Sequence, residues 1–327
     1  WFTIPALMGP LIGPPVGGFI VTFWDWPWIF FMNLPIAAVG LLLVLRFVPN
    51  VALQDAKALD WKGMLLTGLG LACVIFGFEN LGRDFLPALA VVGLFATGGA
   101  MLWIYAWHAK RTPHAILDLS LFRLRTFEAS VVGGAFMRIA MGATPFMLAM
   151  LLQVAFGMTA LQAGLLTFVG AAGALIMKTT APPILRRFGF RQVLMVNAVI
   201  TGVFFLAYAF FEIDTPHWVI MLVLLAGGFF RSLQFTSLNG LAYAEIEQDR
   251  MSRASTMSAM AQQLIQSVGI GLAATLIHVF TQMAGQSEMT AETISPAFLV
   301  IGALTFVSMI FYARLPRDAG DEMNSRS

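Results

Sequence analysis

The chain has 327 residues, 59% of them hydrophobic and only 11% charged, with a formal net charge of +2 and one cysteine. Ordinary soluble domains carry about a quarter charged residues, so this composition excludes a water-soluble globular fold. The lone Cys73 excludes an intramolecular disulfide, and no basic cluster with interleaved aromatics points to nucleic acid.

Apolar runs of about 20 residues recur along the whole length, each sufficient to cross a hydrocarbon layer about 30 Å thick. Backbone groups in lipid must be satisfied within the element, which leaves helix or closed barrel. The runs are continuous rather than alternating, so they predict helices. Ten spans are expected, at 2–23, 28–48, 63–82, 86–107, 127–152, 162–180, 192–211, 217–237, 255–281 and 296–314.

The first span contains GPLIGPPVGG, residues 9–18, within a run that has no charge from Trp1 to Trp24. In a helix Gly9, Gly13 and Gly17 form one smooth stripe, and Pro14 and Gly18 form a second beside it. Such stripes let two helix backbones approach closely in lipid. Pro14 and Pro15 each remove a backbone donor and crowd the preceding turn, so a bend is expected there. The segment predicts a kinked helix pressed tightly on a partner.

Between spans two and three, NVALQDAKALDW (50–61) sets apolar residues at helical spacing with charges between them, the pattern of a segment lying on the membrane surface. Span three carries Glu79 near its end. It is a candidate protonatable gate, although a local pair with Arg83 at i, i+4 is the favoured reading. Span five holds Arg138, about 11 residues from one end and roughly 16 Å deep at 1.5 Å per residue. Snorkelling does not reach from there, so Arg138 is the first candidate for a cavity-lining charge, with a structural ion pair as the alternative. Lys178, beside a basic connection, reads as an interfacial anchor. Arg231 in span eight has Gln234 three residues on, and snorkelling competes with a cavity role. Gln262 and Gln266 in span nine share a face with Ala259 and Gly269, a semi-polar cavity wall or a set of interhelical hydrogen bonds. No Asp or Glu falls at the midplane of any span.

Basic residues divide by side. Among the connections, the odd-numbered ones hold only Arg83; the even-numbered ones and the tail, with the span ends beside them, hold sixteen Lys and Arg. Positive charge marks the cytoplasmic face, which places both ends of the chain there. Enzyme signatures are absent: there is no H-E-x-x-H, G-x-S-x-G or G-x-x-x-x-G-K-[ST], and the four histidines are scattered. No enzyme, metal site or bound cofactor is expected.

GPLIGPPVGG resembles motif C, the antiporter motif of drug:proton antiporters in the major facilitator superfamily. WPWIFFMNLP resembles the W-R-W-I-F-x-x-N-x-P element of the 14-span, EmrB/QacA-like branch, with Pro27 in place of the arginine. PHAILDLSLFRLRTF (113–127) is similar to that branch's P-x-x-D-L-x-L-F-R-x-R-x-F linker, and LLQVAFGMTALQAGLL (151–166) to its LQ-x-x-x-G-x-x-x-x-QAGL segment. ILRRFGFRQVL (184–194) looks like a degenerate motif A, with only Arg187, Gly189 and Arg191 carried over; Pro182 and Arg186 stand where a glycine and an aspartate belong.

The resemblance implies an all-α integral membrane protein of the major facilitator fold whose ten helices are helices five to fourteen of a longer chain. It divides the sequence into the last two helices of an N-terminal bundle (1–48), an interfacial linker (49–62), two extra helices (63–107), a second linker (108–126), a six-helix C-terminal bundle (127–314) and a tail (315–327). Spans one and five are expected to face the cavity. The implied function is export of amphipathic drug-like compounds by proton antiport with alternating access, from a cell (inner) membrane. Its implied partners are a small-molecule substrate, protons and the bilayer, with the proton gradient as driving force; an accessory periplasmic subunit is left open. Two other readings stand beside it: export of another metabolite or siderophore, and a non-transporting membrane binding or sensor protein.

Overall fold

The computed structural model describes residues 3–48, 60–81, 86–112, 116–286, 288–316 and 319, with side chains from residue 12 onward. Among these residues there is no strand. Helix α1 spans Thr3–Phe23 and α2 spans Trp28–Phe47, with a short irregularity at Met32. Helix α3 (Trp61–Glu79) starts on Asp60, whose carboxylate accepts from the Gly63 amide at 2.9 Å and satisfies one open donor of the first turn. Helix α4 covers Ala88–Ala109, and the helical segment Arg125–Ala155 is α5.

The next helical stretch, Ala160–Phe210, has 51 residues. As one rod it would be about 77 Å long, far more than a bilayer accommodates. Gly189, at φ 71° and ψ 160°, divides it, giving α6 (160–188) and α7 (190–210). Pairing with α8 (His217–Tyr243) shows that the two arms run in opposite directions. Along α6, Ala174 and Lys178 meet Ser232 and Thr236, so those helices run the same way. Along α7, Phe190 sits at Gly240 and Tyr208 at Gly227, so those run oppositely. The L-residue handedness that disfavours positive φ is what makes glycine the residue at this reversal. Helices α9 (Met251–Met283) and α10 (Ala291–Ala313) complete the set. Ten helices are therefore described.

Start signals are local. A capping box between Thr159 and Gln162 opens α6, and a second between Thr290 and Thr293 opens α10. Gly157 (φ 67°) and Gly285 (φ 64°) turn the chain just before α6 and after α9. One apolar core is shared by α5 to α10, including Met147, Leu151, Leu194, Ile220 and Ile301. Helix α2 is the opposite case: none of its residues is buried, and Leu34, Leu42 and Phe47 stand open on its sides. Such a surface requires lipid or another apolar partner. The surface segment expected over 50–61 and the tail lie largely outside the described residues.

Candidate functional site

A cavity of about 620 Å³ lies among α1, α5, α6 and α8, with Tyr208 at its edge, within the usual size range of small-molecule sites. It is hollow because one face of α6 is built from small residues: Ala160, Ala163, Gly164, Thr167, Ala171 and Ala174. The neighbouring face lets backbones close in. A side chain at Gly173 would run into the Leu225 carbonyl, and one at Gly228 into Gly170. Helix α5 adds Thr144, Leu148 and Gln153, and α1 adds Pro14, Gly17, Gly18 and Val21. Spans one and five thus both line the cavity.

The proline- and glycine-rich stretch acts through its second stripe. A Cβ on Gly18 would lie 2.5 Å from the Ala160 carbonyl oxygen, and one on Gly164 would lie 2.5 Å from that of Pro14. Thr22 accepts the Leu161 amide at 3.2 Å, extending the same contact. Gly13 and Gly17 meet nothing within 4 Å, and Gly17 faces the cavity. Of the two stripes expected to allow a close approach, the Pro14–Gly18 stripe makes it, and Gly13 and Gly17 take no part in it among the described residues. The reason is the direction from which α6 arrives, a tertiary fact. Gly9 belongs to α1, and Pro14 and Pro15 lie within the same continuous helix.

Arg138 does not line the cavity. Only 1% of it is exposed, and its Nη1 donates to the Ser130 carbonyl at 2.5 Å, with Nη2 at 3.5 Å from Asn239 Oδ1. The local cause is visible: 129–133 is a π-helical turn in which the Gly134 amide bonds to Ala129 rather than Ser130. At that turn the Ser130 carbonyl accepts from Arg138. The helix face that carries Arg138 turns away from the cavity.

Two other cations occupy the cavity lining, Lys178 and Arg231. Lys178, expected to be an interfacial anchor, instead points its Nζ at Thr236 Oγ1 at 2.9 Å, with the Phe235 ring 5.8 Å away. Arg231 has no hydrogen bond or ion pair among the described residues. Since Lys178 is level with Thr236, five residues beyond Arg231, the two charges are separated by about 7–8 Å along the helix axis. Among the described residues no Asp or Glu lines the cavity. The sequence signal that could have found Lys178 is the small-residue face of α6, on which 160, 163/164, 167, 171, 174 and 178 fall together.

The remaining polar candidates lie elsewhere. Gln234 is fully buried, accepts from Asn197 Nδ2 at 2.8 Å and reaches the Leu194 carbonyl at 3.5 Å. Gln262 donates to Asn239 at 3.1 Å and Ser258 at 3.3 Å. At Gln266 the backbone, not the side chain, is pressed on by Gly142. These placements are interhelical hydrogen bonding and packing, not a cavity wall. Glu79 ends α3, next to Phe78, whose backbone packs on Gly271 of α9; it does not reach the cavity. Its expected partner Arg83 lies outside the described residues. In the motif-A-like turn Gly189 makes the reversal, Arg191 donates to the Ala313 carbonyl at 2.8 Å, and the Arg187 guanidinium lies 5.5 Å from the Phe188 ring.

At the end of the bundle that carries the basic connections, Arg250 pairs with Asp118 at 2.7 Å and with Ser120 at 2.6 Å. This clamp joins the 108–126 linker to the start of α9, and the sequence reading missed it. Burial pushes the Asp118 carboxyl up, but the Ser120 hydrogen bonds and the Arg250 guanidinium outweigh it and hold it below the ordinary carboxylate range. A similar contact joins His108 to Asp60 at 2.9 Å across α3 and α4.

With this geometry in place, the likenesses to known proteins become informative. Residues 130–327 match the family model of the Major Facilitator Superfamily. The chain is 31% identical over 320 residues to the "Putative multidrug resistance protein MdtD" of Klebsiella pneumoniae (strain 342), covering 97% of this chain and 68% of that protein. Against the protein of the same name from Yersinia enterocolitica the identity is 30% over 324 residues, covering 98% and 69%. The Escherichia coli O6:H1 protein gives 31% over 319 residues, covering 97% and 67%. An all-helical membrane fold and a match of this extent together show that the chain belongs to the Major Facilitator Superfamily of transporters.

Proposed function

We propose that the chain exports amphipathic drug-like compounds by alternating access, coupled to proton entry. The observation that carries this reading is the cavity of about 620 Å³ enclosed between α1, which bears the antiporter-like motif, and α5, α6 and α8 of the larger bundle. A cavity at the contact between two helical groups is where rocking of one group against the other exposes a site alternately to each side. The names of the relatives support a drug-like cargo. In this reading the basic end of the bundle faces the cytoplasm of an inner membrane, and the close α1–α6 contact at Gly18 and Gly164 seals one side.

The test is transport by the full protein in inverted membrane vesicles. Imposing a proton gradient should drive uptake of a lipophilic dye such as N-phenyl-1-naphthylamine, and a protonophore should abolish it. Uptake that is indifferent to the gradient would remove proton coupling from the proposal. No uptake of any amphipathic dye by folded protein would remove the export reading itself.

A further inference from the structure

We infer that the cavity selects amphipathic anions, with Lys178 and Arg231 receiving the anionic head group and the α1, α5 and α6 walls receiving the apolar body. The inference rests on the reading above that this cavity is the substrate site, and it names the substrate class.

Charges in a low-dielectric membrane interior carry a desolvation cost and are normally paired. Here two cations line one chamber whose walls supply no carboxylate among the described residues. The partners of Lys178 are neutral, a threonine hydroxyl and an aromatic ring. Arg231 makes no hydrogen bond or ion pair among the described residues. Arg138 shows what this protein does with a cation that serves structure: it is walled in and given the backbone carbonyl of Ser130. Lys178 and Arg231 are instead left facing open space. Ser232, next to Arg231, donates to the Ala174 carbonyl at 2.9 Å, which fixes α8 against α6 and holds both cations in place.

The consequence is directional. An amphipathic cation entering the chamber meets two like charges, whereas a carboxylate, sulfonate or phosphate gains two charge-assisted partners. Arg231 offers a forked donor to a planar or tetrahedral anion, and Lys178 offers a point charge about one and a half turns away. Most of the remaining lining is apolar, with hydroxyls at Thr144, Thr167, Tyr208 and Ser232 and the amide of Gln153.

The experiment compares two dyes with the same rings: 1-anilinonaphthalene-8-sulfonate, which carries a sulfonate, and N-phenyl-1-naphthylamine, which does not. Binding to the full protein in phosphatidylcholine nanodiscs is measured against empty nanodiscs. The expected result is tighter binding of the sulfonate by about tenfold. Lys178→Gln and Arg231→Gln should each erase most of that margin, with thermal unfolding close to that of the parent as the check on folding. Arg231→Lys, which keeps the charge, should keep most of it and shows that loss in the glutamine variant is not misfolding. Equal affinity for the two dyes in the unmodified protein, or a margin that survives the double Lys178→Gln, Arg231→Gln variant, overturns the inference. Phosphatidylglycerol that displaces the sulfonate dye would place an anionic lipid among the occupants, within the same chemistry. Charge-selective binding without transport would sink the export proposal and leave the anion site standing. Transport of the neutral dye without charge selectivity would do the reverse.

Discussion

Two basic regions in one bundle have opposite surroundings. Around Arg138 the guanidinium is buried, and its bonds go to the neutral oxygens of Ser130 and Asn239. Around Arg231 and Lys178 the cations face a cavity. Both regions lie several residues inside long apolar helices, so position along the helix does not separate them. What separates them is the neighbour on the facing side: a π-turn carbonyl in one case and a wall of small residues in the other. An intramembrane charge is therefore a functional candidate only once its helix face is known.

Truncation should separate the two regions most strongly. Arg138→Ala leaves a cavity and an orphaned Ser130 carbonyl, and unfolding stability should fall by about 3 kcal/mol. Dye binding by the surviving folded fraction should be unchanged. Arg231→Gln should do the opposite, with near-native thermal unfolding and altered dye binding. A folded Arg138→Ala protein that no longer binds dye would return Arg138 to the site and dissolve the distinction.

The two glycine stripes of α1 give a contrast of intermediate size. Gly164→Ala and Gly18→Ala each push a methyl against backbone that cannot rotate away, so each should cost about 1–2 kcal/mol. Gly17→Ala enters open space beside the cavity and should leave stability within about 0.5 kcal/mol of the parent. Thermal midpoints in detergent decide this. Equal losses at Gly17 and Gly18 would mean that α1 packs through both stripes.

Much of the fold was legible because lipid imposes a simple rule: long, uncharged, continuous runs must be helices. The ten runs therefore anticipate the ten helices, and the glycine in ILRRFGFRQVL marks the reversal at Gly189. Helix ends were less legible. Helix α6 runs on to residue 188 and α8 to Tyr243, because their last turns are polar and a hydropathy reading stops early. The site was legible only in its materials. GPLIGPPVGG announces a close contact, but which stripe makes it depends on where α6 lies. Lys178 looks like an anchor until the small residues 160–174 are seen on its own face. The Asp118–Arg250 pair joins positions 132 residues apart, and no local pattern connects them.

That pair supplies the smallest and last contrast, because Arg250 has the carboxylate that Arg138, Lys178 and Arg231 lack. Both members are partly exposed, with 31% and 17% of their side chains open, so solvent screens the pair and Arg250→Ala should cost about 0.5 kcal/mol at neutral pH. The pH dependence has a definite sign. The Asp118 carboxyl titrates below its ordinary 3.8 in the folded chain, so the unfolded chain binds its proton first as pH falls. The pair's contribution is complete well above pH 4 and is lost as pH drops through the lowered native value. The difference in thermal midpoint between the parent and Arg250→Ala should therefore hold from pH 7 to about 5 and shrink below about 4. Asp118→Asn should weaken the fold at neutral pH and remove that trend. A parent–variant difference independent of pH would mean that Arg250 acts through Ser120 alone, and the clamp between the linker and α9 would then be a hydroxyl contact rather than an ion pair.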